Sequence, residues 1–327
     1  MRIKSRLMAA VLVVLFVATG VKAQEDVSDF LELGVVDAKI IAEAYLKPYG
    51  EMLGRTLNGG WYNSADVHKV AGFDFTVGVN MAMVPASGKR FDVAALLPKL
   101  SQSYGFKDPS VHIAPTAAGD MRTRPVLTYG GQDILTLPNG SGFDKFPMPI
   151  VQLGVGLPFH SEVALRFIPG FNIGDAGKIQ MFGFALKHSV KEYLPFIKRV
   201  PFLSTTVMLG YTSLGSELNV DYEPRTNQEL HIDSKGFTTR LLIGANLPVI
   251  AFYTGIGYGS TNSDFALKGD YEINGVGIYN PFTIGYTNTG FDANAGIRLR
   301  LGILAIHGDY SIGDYPMATV GVGLSFR

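Results

Sequence analysis

The last twelve residues, Pro316 to Arg327, constrain this chain more than any other stretch. From Ala318 onward, large apolar residues fall on every second position (Val320, Val322, Leu324, Phe326), with Gly321, Gly323 and Ser325 between them. A period of two is a β-strand with one greasy face and one small or polar face. In a soluble sandwich the greasy face turns inward. In an outer-membrane barrel it turns out to lipid, and the small residues line the lumen.

The other end of the chain decides between the two. Arg2, Lys4 and Arg6 precede an apolar core, Leu7 to Ala18, and Val21-Lys22-Ala23 offers small residues at cleavage spacing. This predicts a secretory signal over 1–23 and a mature chain from Gln24. The apolar core falls short of the roughly 20 residues that span a bilayer as a helix. The chain has no Cys, so export brings no disulfide framework. The full chain carries 28 basic and 28 acidic residues. Removing Arg2, Lys4, Arg6 and Lys22 with the signal leaves about −4, which argues against nucleic acid as a partner.

Composition agrees with a barrel: 39 Gly, 15 Tyr and 21 Phe against only 17% charged residues. Two hairpins fix their own register. With a turn at Pro248-Val249, Leu247 faces Ile250, Ala245 faces Phe252, Ile243 faces Thr254 and Leu241 faces Ile256. With a turn at Gly302-Ile303, Leu301 faces Leu304, Leu299 faces Ile306 and Ile297 faces Gly308, while Arg298 meets His307 and Gly296 meets Asp309. A slip of one residue would move Arg240 and Asn246 to the apolar side. Arg298 and Arg300 at consecutive inward positions are costly in a sandwich core, whereas a wet lumen accepts them. Arg298 and Asp309 are expected to be diagonal neighbours.

Ten strands follow by the same alternation: 72–84, 150–157, 162–168, 178–187, 204–212, 235–247, 249–260, 291–301, 303–312 and 316–326. The predicted fold is an all-β transmembrane antiparallel up-and-down barrel over 72–327 with an even strand number. The range is 10 to 14 with 12 as the best number, because 85–149 and 261–289 each have room for another hairpin. Alternatively, 85–149 forms a small separate domain. Connections 158–161, 248–249 and 302–303 are short, and 85–149, 213–235 and 261–289 are read as long loops. Short turns are periplasmic in outer-membrane barrels, so long loops face outward. The expected location is therefore the outer membrane, with its lipid and the barrel-assembly machinery as partners.

Two stretches depart from strand pattern. Over 37–57, Ile40, Ile41, Ala44 and Tyr45 recur at helical spacing, with Asp37 as expected cap and Pro48 expected to open a second short helix. The only Trp, Trp61, follows in Asn58-Gly-Gly-Trp-Tyr. Segment 24–71 thus reads as a helical unit that either enters the barrel mouth as a hatch, with Trp61 as its candidate residue, or lies beneath the barrel. Over 188–201, Ser189 and Glu192 are spaced as a capping box, and Val190, Tyr193, Leu194 and Ile197 would share a helical face. That helix would rest on headgroups, cover the mouth or act as a packed connector.

Three stretches carry a resemblance: Asn63-Ser-Ala-Asp-Val-His-Lys-Val-Ala-Gly-Phe-Asp-Phe-Thr-Val-Gly, His188-Ser-Val-Lys-Glu-Tyr-Leu-Pro and the Val-Gly-Leu-Ser-Phe-Arg ending. Together they resemble an uncharacterised outer-membrane β-barrel family, filed as a domain of unknown function, over most of the mature chain. The layout is also similar to long-chain fatty-acid transporters of the outer membrane. No residue motif carries those transporters' binding site onto this sequence. The resemblance implies location and fold and leaves activity open.

Inward positions that bear chemistry are Asp74, Asn80, Arg166, Lys187, Arg240, Arg298, Arg300, His307 and Asp309, with Glu162 a further acid. Their basic excess either favours anionic solutes in a pore or belongs to an ion-pair network that braces a closed lumen. Outer-membrane hydrolases place His with Asp or Ser at the barrel rim. Here the simpler account of His307 and Asp309 is a solvated lumen pair, so no enzyme is expected. With six His and no Cys, no metal spacing stands out, and no cofactor is expected. Three functional readings remain. The first is a channel or transporter for small or hydrophobic solutes gated by 24–71. The second is an interaction barrel acting through its long loops, and the third a membrane-embedded hydrolase.

Overall fold

A computed structural model describes residues 30–172, 177–222, 225–273 and 276–326. The expected signal over 1–23 lies outside the described residues. Ten antiparallel strands close into one barrel: β1 (Phe73–Met83), β2 (Lys145–Leu157), β3 (Ser161–Asn172), β4 (Gly177–Ser189), β5 (Leu203–Tyr222), β6 (Arg225–Asn246), β7 (Ile250–Lys268), β8 (Thr283–Leu301), β9 (Leu304–Ile312) and β10 (Met317–Phe326). Each pairs with its neighbours in sequence, and β1 closes against both β2 and β10. The architecture is the all-β up-and-down barrel of outer-membrane type.

Both hairpins adopt the register their sequences dictate. Ala245 pairs with Phe252, Ile243 with Thr254 and Leu241 with Ile256. Arg298 pairs with His307 and Gly296 with Asp309. In the terminal strand Val320, Val322, Leu324 and Phe326 are exposed on the outer wall, joined by Phe73 and Phe75 of β1. Asp74, Thr76, Asn80 and Ala82 on the same strand are buried inward.

The strand number is ten, not twelve. Stretch 85–149 adds no further barrel strand beyond the start of β2. Its short strands form one two-stranded and one three-stranded sheet of their own. Among the described residues of 261–289 the only extra strands are Asp270–Ile273 and Val276–Tyr279, a separate small hairpin. Four residues are far short of the roughly nine to eleven a tilted crossing strand needs. The stretch 213–235 is not a loop either, since β5 and β6 run on through it and pair almost to their tips. The physical reason lies in their outward side chains. Beyond Tyr211 the outward positions of β5 are Ser213, Gly215, Glu217 and Asn219, and beyond Phe237 those of β6 are Lys235, Asp233 and His231. A strand that leaves the apolar band keeps its backbone pairing and loses only its greasy face. The aromatic pairs Phe184–Tyr211 and Tyr258–Phe291, with centroids 5.8 and 5.2 Å apart, mark that boundary.

The turns at 158–160, 247–249 and 302–303 lie at one end, here the turn end, and the segments 84–144, 269–282 and 313–316 lie at the other, the loop end. The wall is uneven, because β9, β10 and β1 have 9 to 11 residues and β5 to β8 have 19 to 22. Two seams result. Between β2 and β3 the ladder starts only at Gln152↔Arg166. Val84 N donates to Asp144 O, which shows that even-numbered residues of β1 and β2 bond to each other. Pro147 and Pro149 therefore turn toward β3 with no N–H to give, and the ladder cannot extend past them. Between β8 and β9 the pairing stops at Ala293↔Ile312.

Inside the barrel runs α1 (Val35–Asn58), preceded by a turn of 3-10 helix at Phe30–Leu33. It is one continuous helix through Pro48, and its start is set by Gly34 at φ +84° rather than by an Asp37 cap. Asp37 instead accepts from Ser101 N at 2.7 Å and Ser101 Oγ at 2.8 Å, tying the helix to segment 84–144. The helix is buried around most of its circumference, which explains why its apolar pattern is broad rather than a single stripe. The expected capping-box helix over 188–201 is absent as such. Ser189 ends β4 and donates to Thr205 O, and the helical part shrinks to a 3-10 turn at Lys191–Tyr193 and α2 (Pro195–Lys198). Glu192 pairs with Lys198 at 2.8 Å instead, and that hydrogen bond holds its carboxyl below the usual range.

Candidate functional site

The chemistry-bearing residues meet where segment 30–71 fills the lumen. The chain enters at the loop end, descends as α1, continues as an irregular strand of residues past Gly59, and reaches the turn end before β1 begins. This places the segment within the barrel rather than beneath it. Its contacts differ sharply between halves.

The loop-end half is apolar. Phe30, Leu31, Ile41, Tyr45, Leu53 and Leu57 form one core with Leu127, Leu135 and Leu137 of segment 84–144 and with wall residues such as Ile179, Leu214 and Phe265. Stretch 85–149 therefore shares this core and has no independent one. The close approach of helix to wall needs a small residue at Gly54, where a Cβ would fall 2.8 Å from Thr261 Cβ.

Below this core a smaller apolar cluster joins Trp61, Tyr62 and Ala65 to Ala164, Ala185, Met208, Leu242 and Tyr253 of the wall, and the polar contacts fall into four groups. In the first, Arg55 Nη1 donates to Asp292 Oδ2 at 2.8 Å, and Arg240 grips the same carboxylate through Nη1 at 2.5 Å and Nη2 at 2.8 Å. In the second, Arg166 has no carboxylate partner among the described residues. Its guanidinium donates to Leu57 O at 3.2 Å, Gly59 O at 2.9 Å and Gln152 Oε1 at 3.3 Å, and lies 4.1 Å over the Trp61 ring. Leu57 O and Gly59 O stand at the C-terminal end of α1, where the helix dipole favours a cation. Asn80 sits beside it, donating to Thr56 O at 2.8 Å and accepting from Thr319 Oγ1 at 2.9 Å.

The third group is Arg298, which donates to Asn63 Oδ1 at 2.6 Å and Asp74 Oδ2 at 2.7 Å. Asp309 is not its partner here. It accepts from Tyr253 OH and from Asn294 Nδ2, both at 3.2 Å. The segment between them supplies Asn63 and redirects the arginine toward β1. In the fourth group Glu162 is paired with Lys187 and accepts from the His68 backbone N–H at 3.0 Å, with His68 Nδ1 2.8 Å away. Arg300, at the turn end, donates to Leu247 O at 2.7 Å. His307 is buried against Gly321, its Nδ1 without a hydrogen-bond partner, so it forms no relay with Asp309. Among the described residues no group of three or more His, Asp or Glu is placed to hold a metal.

Sequence reasoning placed nine lumen residues and Trp61 but missed their partners Arg55, Asn63, His68, Gln152 and Asp292. Asp292 has the same inward parity as Arg298 and Arg300, which is a usable signal. Arg55, Asn63 and His68 belong to the inserted segment, where strand parity says nothing.

Backbone proximity closes the turn end. A Cβ at Gly156 would lie 2.0 Å from Lys69 O and 2.5 Å from His68 O. Gly156→Ala is expected to push 68–69 off the wall and destabilise the fold by about 1–3 kcal/mol, the usual range for overpacking. Trypsin cleavage after Lys69 in detergent checks this. Faster cleavage than in the wild type is expected, and an unchanged rate refutes the tight seat.

Comparison with known proteins assigns the family. A family model described as a family of unknown function (DUF6588) matches residues 1–326, so the chain belongs to that family. A search of curated proteins returns no match. Among solved structures it is similar to the outer membrane protease OmpT from Escherichia coli, with 8% identity, TM-score 0.34, and 80% of this chain and 100% of that one covered. The translocator domain of the autotransporter NalP from Neisseria meningitidis gives 10% identity, TM-score 0.32, and 86% and 96%. Ail, the attachment invasion locus protein of Yersinia pestis, gives 6% identity, TM-score 0.22, and 79% and 98%.

Proposed function

We propose that this member of a family of unknown function is a gated outer-membrane channel for small or hydrophobic solutes, with residues 59–71 as its gate. The supporting observation is the contrast between the two halves of the inserted segment. The loop-end half is held by an apolar core whose separation would expose greasy surface to water, at about 25 cal/mol per Å². The turn-end half is held mainly by ion pairs and hydrogen bonds, with one smaller apolar cluster around Trp61, Tyr62 and Ala65. Separating the polar contacts rehydrates both partners, and the net cost of opening such contacts is far smaller than their gas-phase strength. The segment therefore yields first below Gly59, toward the turn end. In this reading the turn end is periplasmic, the outward apolar band contacts membrane lipid, residues 1–23 are removed on export, and the barrel-assembly machinery inserts the chain.

A tether tests the gate. Ser64 Oγ donates to Asn246 Oδ1 at 3.2 Å, and the chain has no Cys of its own. The variant Ser64→Cys/Asn246→Cys, bridged by a short bis-methanethiosulfonate, fixes the gate to the wall. In planar bilayers the untethered protein is expected to show openings, which vanish on bridging and return on reduction. If neither a reduced nor a gate-deleted protein lacking 59–71 passes solute, the channel reading fails. A specific observation favours the interaction reading in that event: segment 84–144 is folded as small sheets packed over the loop end rather than left as open loops.

A further inference from the structure

The connector between β4 and β5, residues 190–202, lies against the outer wall at the turn end and not beneath the mouth. Two outward residues fix its position. In β4, His188 shares the outward parity of Phe182, Phe184 and Leu186, all exposed. Tyr193 stacks on the His188 ring with centroids 5.8 Å apart, and its OH lies 3.2 Å from His188 Nε2. In β5, Thr205 shares the outward parity of Val207 and Leu209, yet it is 2% exposed where they are 39% and 46%. Both the 3-10 turn and α2 of the connector contact β5, so the connector folds back over Thr205.

This face continues the apolar band where the strands leave it short. On β6 the outward apolar positions run from Phe237 to Leu247, broken only by Thr239, whereas on β4 they run only from Phe182 to Leu186. The connector adds Tyr193, Leu194 and Phe196 on the turn-end side of Leu186, and Phe196 is 87% exposed. The neighbouring β2–β3 turn adds Phe159, equally exposed and at φ +62°, a left-handed conformation that a bulky side chain avoids. Ser189 N donates to His160 O at 2.9 Å and joins turn to connector. Rings held out into water gain nothing there, whereas rings at the height of a membrane surface bury their apolar body. The polar groups beside them are basic: Lys191, Lys198 and Arg199 stand against Glu192 alone. Lys198 takes up Glu192, and Lys191 Nζ holds the connector shut by donating to Val200 O and Pro201 O, both at 3.0 Å. Arg199 is exposed and makes no ion pair among the described residues.

We infer that residues 190–202, together with Phe159, form an interfacial anchor for anionic phospholipid of the periplasmic leaflet. The rings of Phe159, Tyr193 and Phe196 enter the acyl boundary, and Arg199 takes a headgroup phosphate. A segment of this kind binds through its buried apolar area plus attraction to anionic lipid. The inference rests on the reading of the outer wall as lipid-facing and of the turn end as periplasmic, and it is independent of the gate.

The test is a nitroxide depth measurement on the full chain in vesicles of phosphatidylcholine with phosphatidylglycerol. The chain has no Cys, so Phe196→Cys carries a single label, with Phe184→Cys as the reference within the band and Tyr129→Cys as the reference in water. The label at 196 is expected to collide with oxygen more than with a water-soluble nickel chelate, as at 184 and opposite to 129. Its motion is expected to slow about twofold when phosphatidylglycerol is added to phosphatidylcholine, and Arg199→Gln is expected to remove about half of that slowing. If 184 is also open to the nickel chelate, the outer wall does not meet lipid and the outer-membrane reading falls with the anchor. An immersed 184 with an aqueous 196 overturns the anchor alone. So does motion at 196 that is indifferent to phosphatidylglycerol or to Arg199→Gln, or that inorganic phosphate slows equally over phosphatidylcholine vesicles.

Discussion

Arg298→Met is expected to lower the unfolding free energy by about 3–5 kcal/mol, the range seen when one member of a buried ion pair is removed. Arg298 is 1% exposed and is the cation that faces Asp74, itself buried. Removing it leaves the carboxylate among Asn63 and Thr76, which donate to it at 3.1 and 2.5 Å but carry no charge. The penalty is that of a stranded anion, not the worth of the pair. Hence Asp74→Asn in the same chain should recover most of the loss, because the amide no longer needs a counter-charge. Urea unfolding in detergent of the two single variants and the double variant measures this coupling. A double variant as unstable as Arg298→Met alone would show that the arginine acts by packing. The same substitution also removes the donor to Asn63 Oδ1, one of the contacts that anchor the gate, so it should raise the frequency of channel openings.

How much of this was legible in the sequence depends on which geometry sets each contact. Strand parity and turn position were enough to pair Leu241 with Ile256 and Arg298 with His307, because alternation is a local property of a sheet. Parity also sent Arg166, Arg240 and Arg298 inward. It could not name their partners. Arg55 and Asp292 are 237 residues apart, and their meeting depends on the depth and rotation of α1 in the lumen. The expected neighbour of Arg298, Asp309, was displaced because Asn63 arrives on the inserted segment. Strand ends beyond Tyr211 and Phe237 were hidden for a different reason. Outside the apolar band a paired strand and a polar loop have similar composition, and only the backbone ladder tells them apart. The Asp37 and Ser189 caps failed because tertiary partners, Ser101 and Thr205, took those side chains first.

Trp61→Ala is expected to cost about 3–5 kcal/mol and to open a water path through the middle of the barrel. Trp61 is fully buried and fits a slot cut by missing side chains. A Cβ at Gly183 would lie 3.0 Å from its Cη2, and one at Gly210 would lie 3.1 Å from its Nε1. Its Nε1 has no hydrogen-bond partner, so it acts through its volume and the face it presents to Arg166. Trp61→Phe should therefore lose far less than Trp61→Ala, since a ring still covers the guanidinium. Alanine leaves Arg166 held only by Leu57 O, Gly59 O and Gln152, beside a void with the guanidinium on one side, where water can bind, and Ala164, Ala185, Met208 and Leu242 on the other. Because it is the only Trp in the chain, its fluorescence reports on the gate directly. In the wild type emission should be blue-shifted and shielded from iodide, and Arg298→Met should raise quenching as residues 59–71 loosen. Conductance of Trp61→Ala should exceed that of Trp61→Phe at every voltage. An alanine variant that keeps the wild-type midpoint and stays closed would mean that the barrel is sealed elsewhere, and that Trp61 is not its hatch.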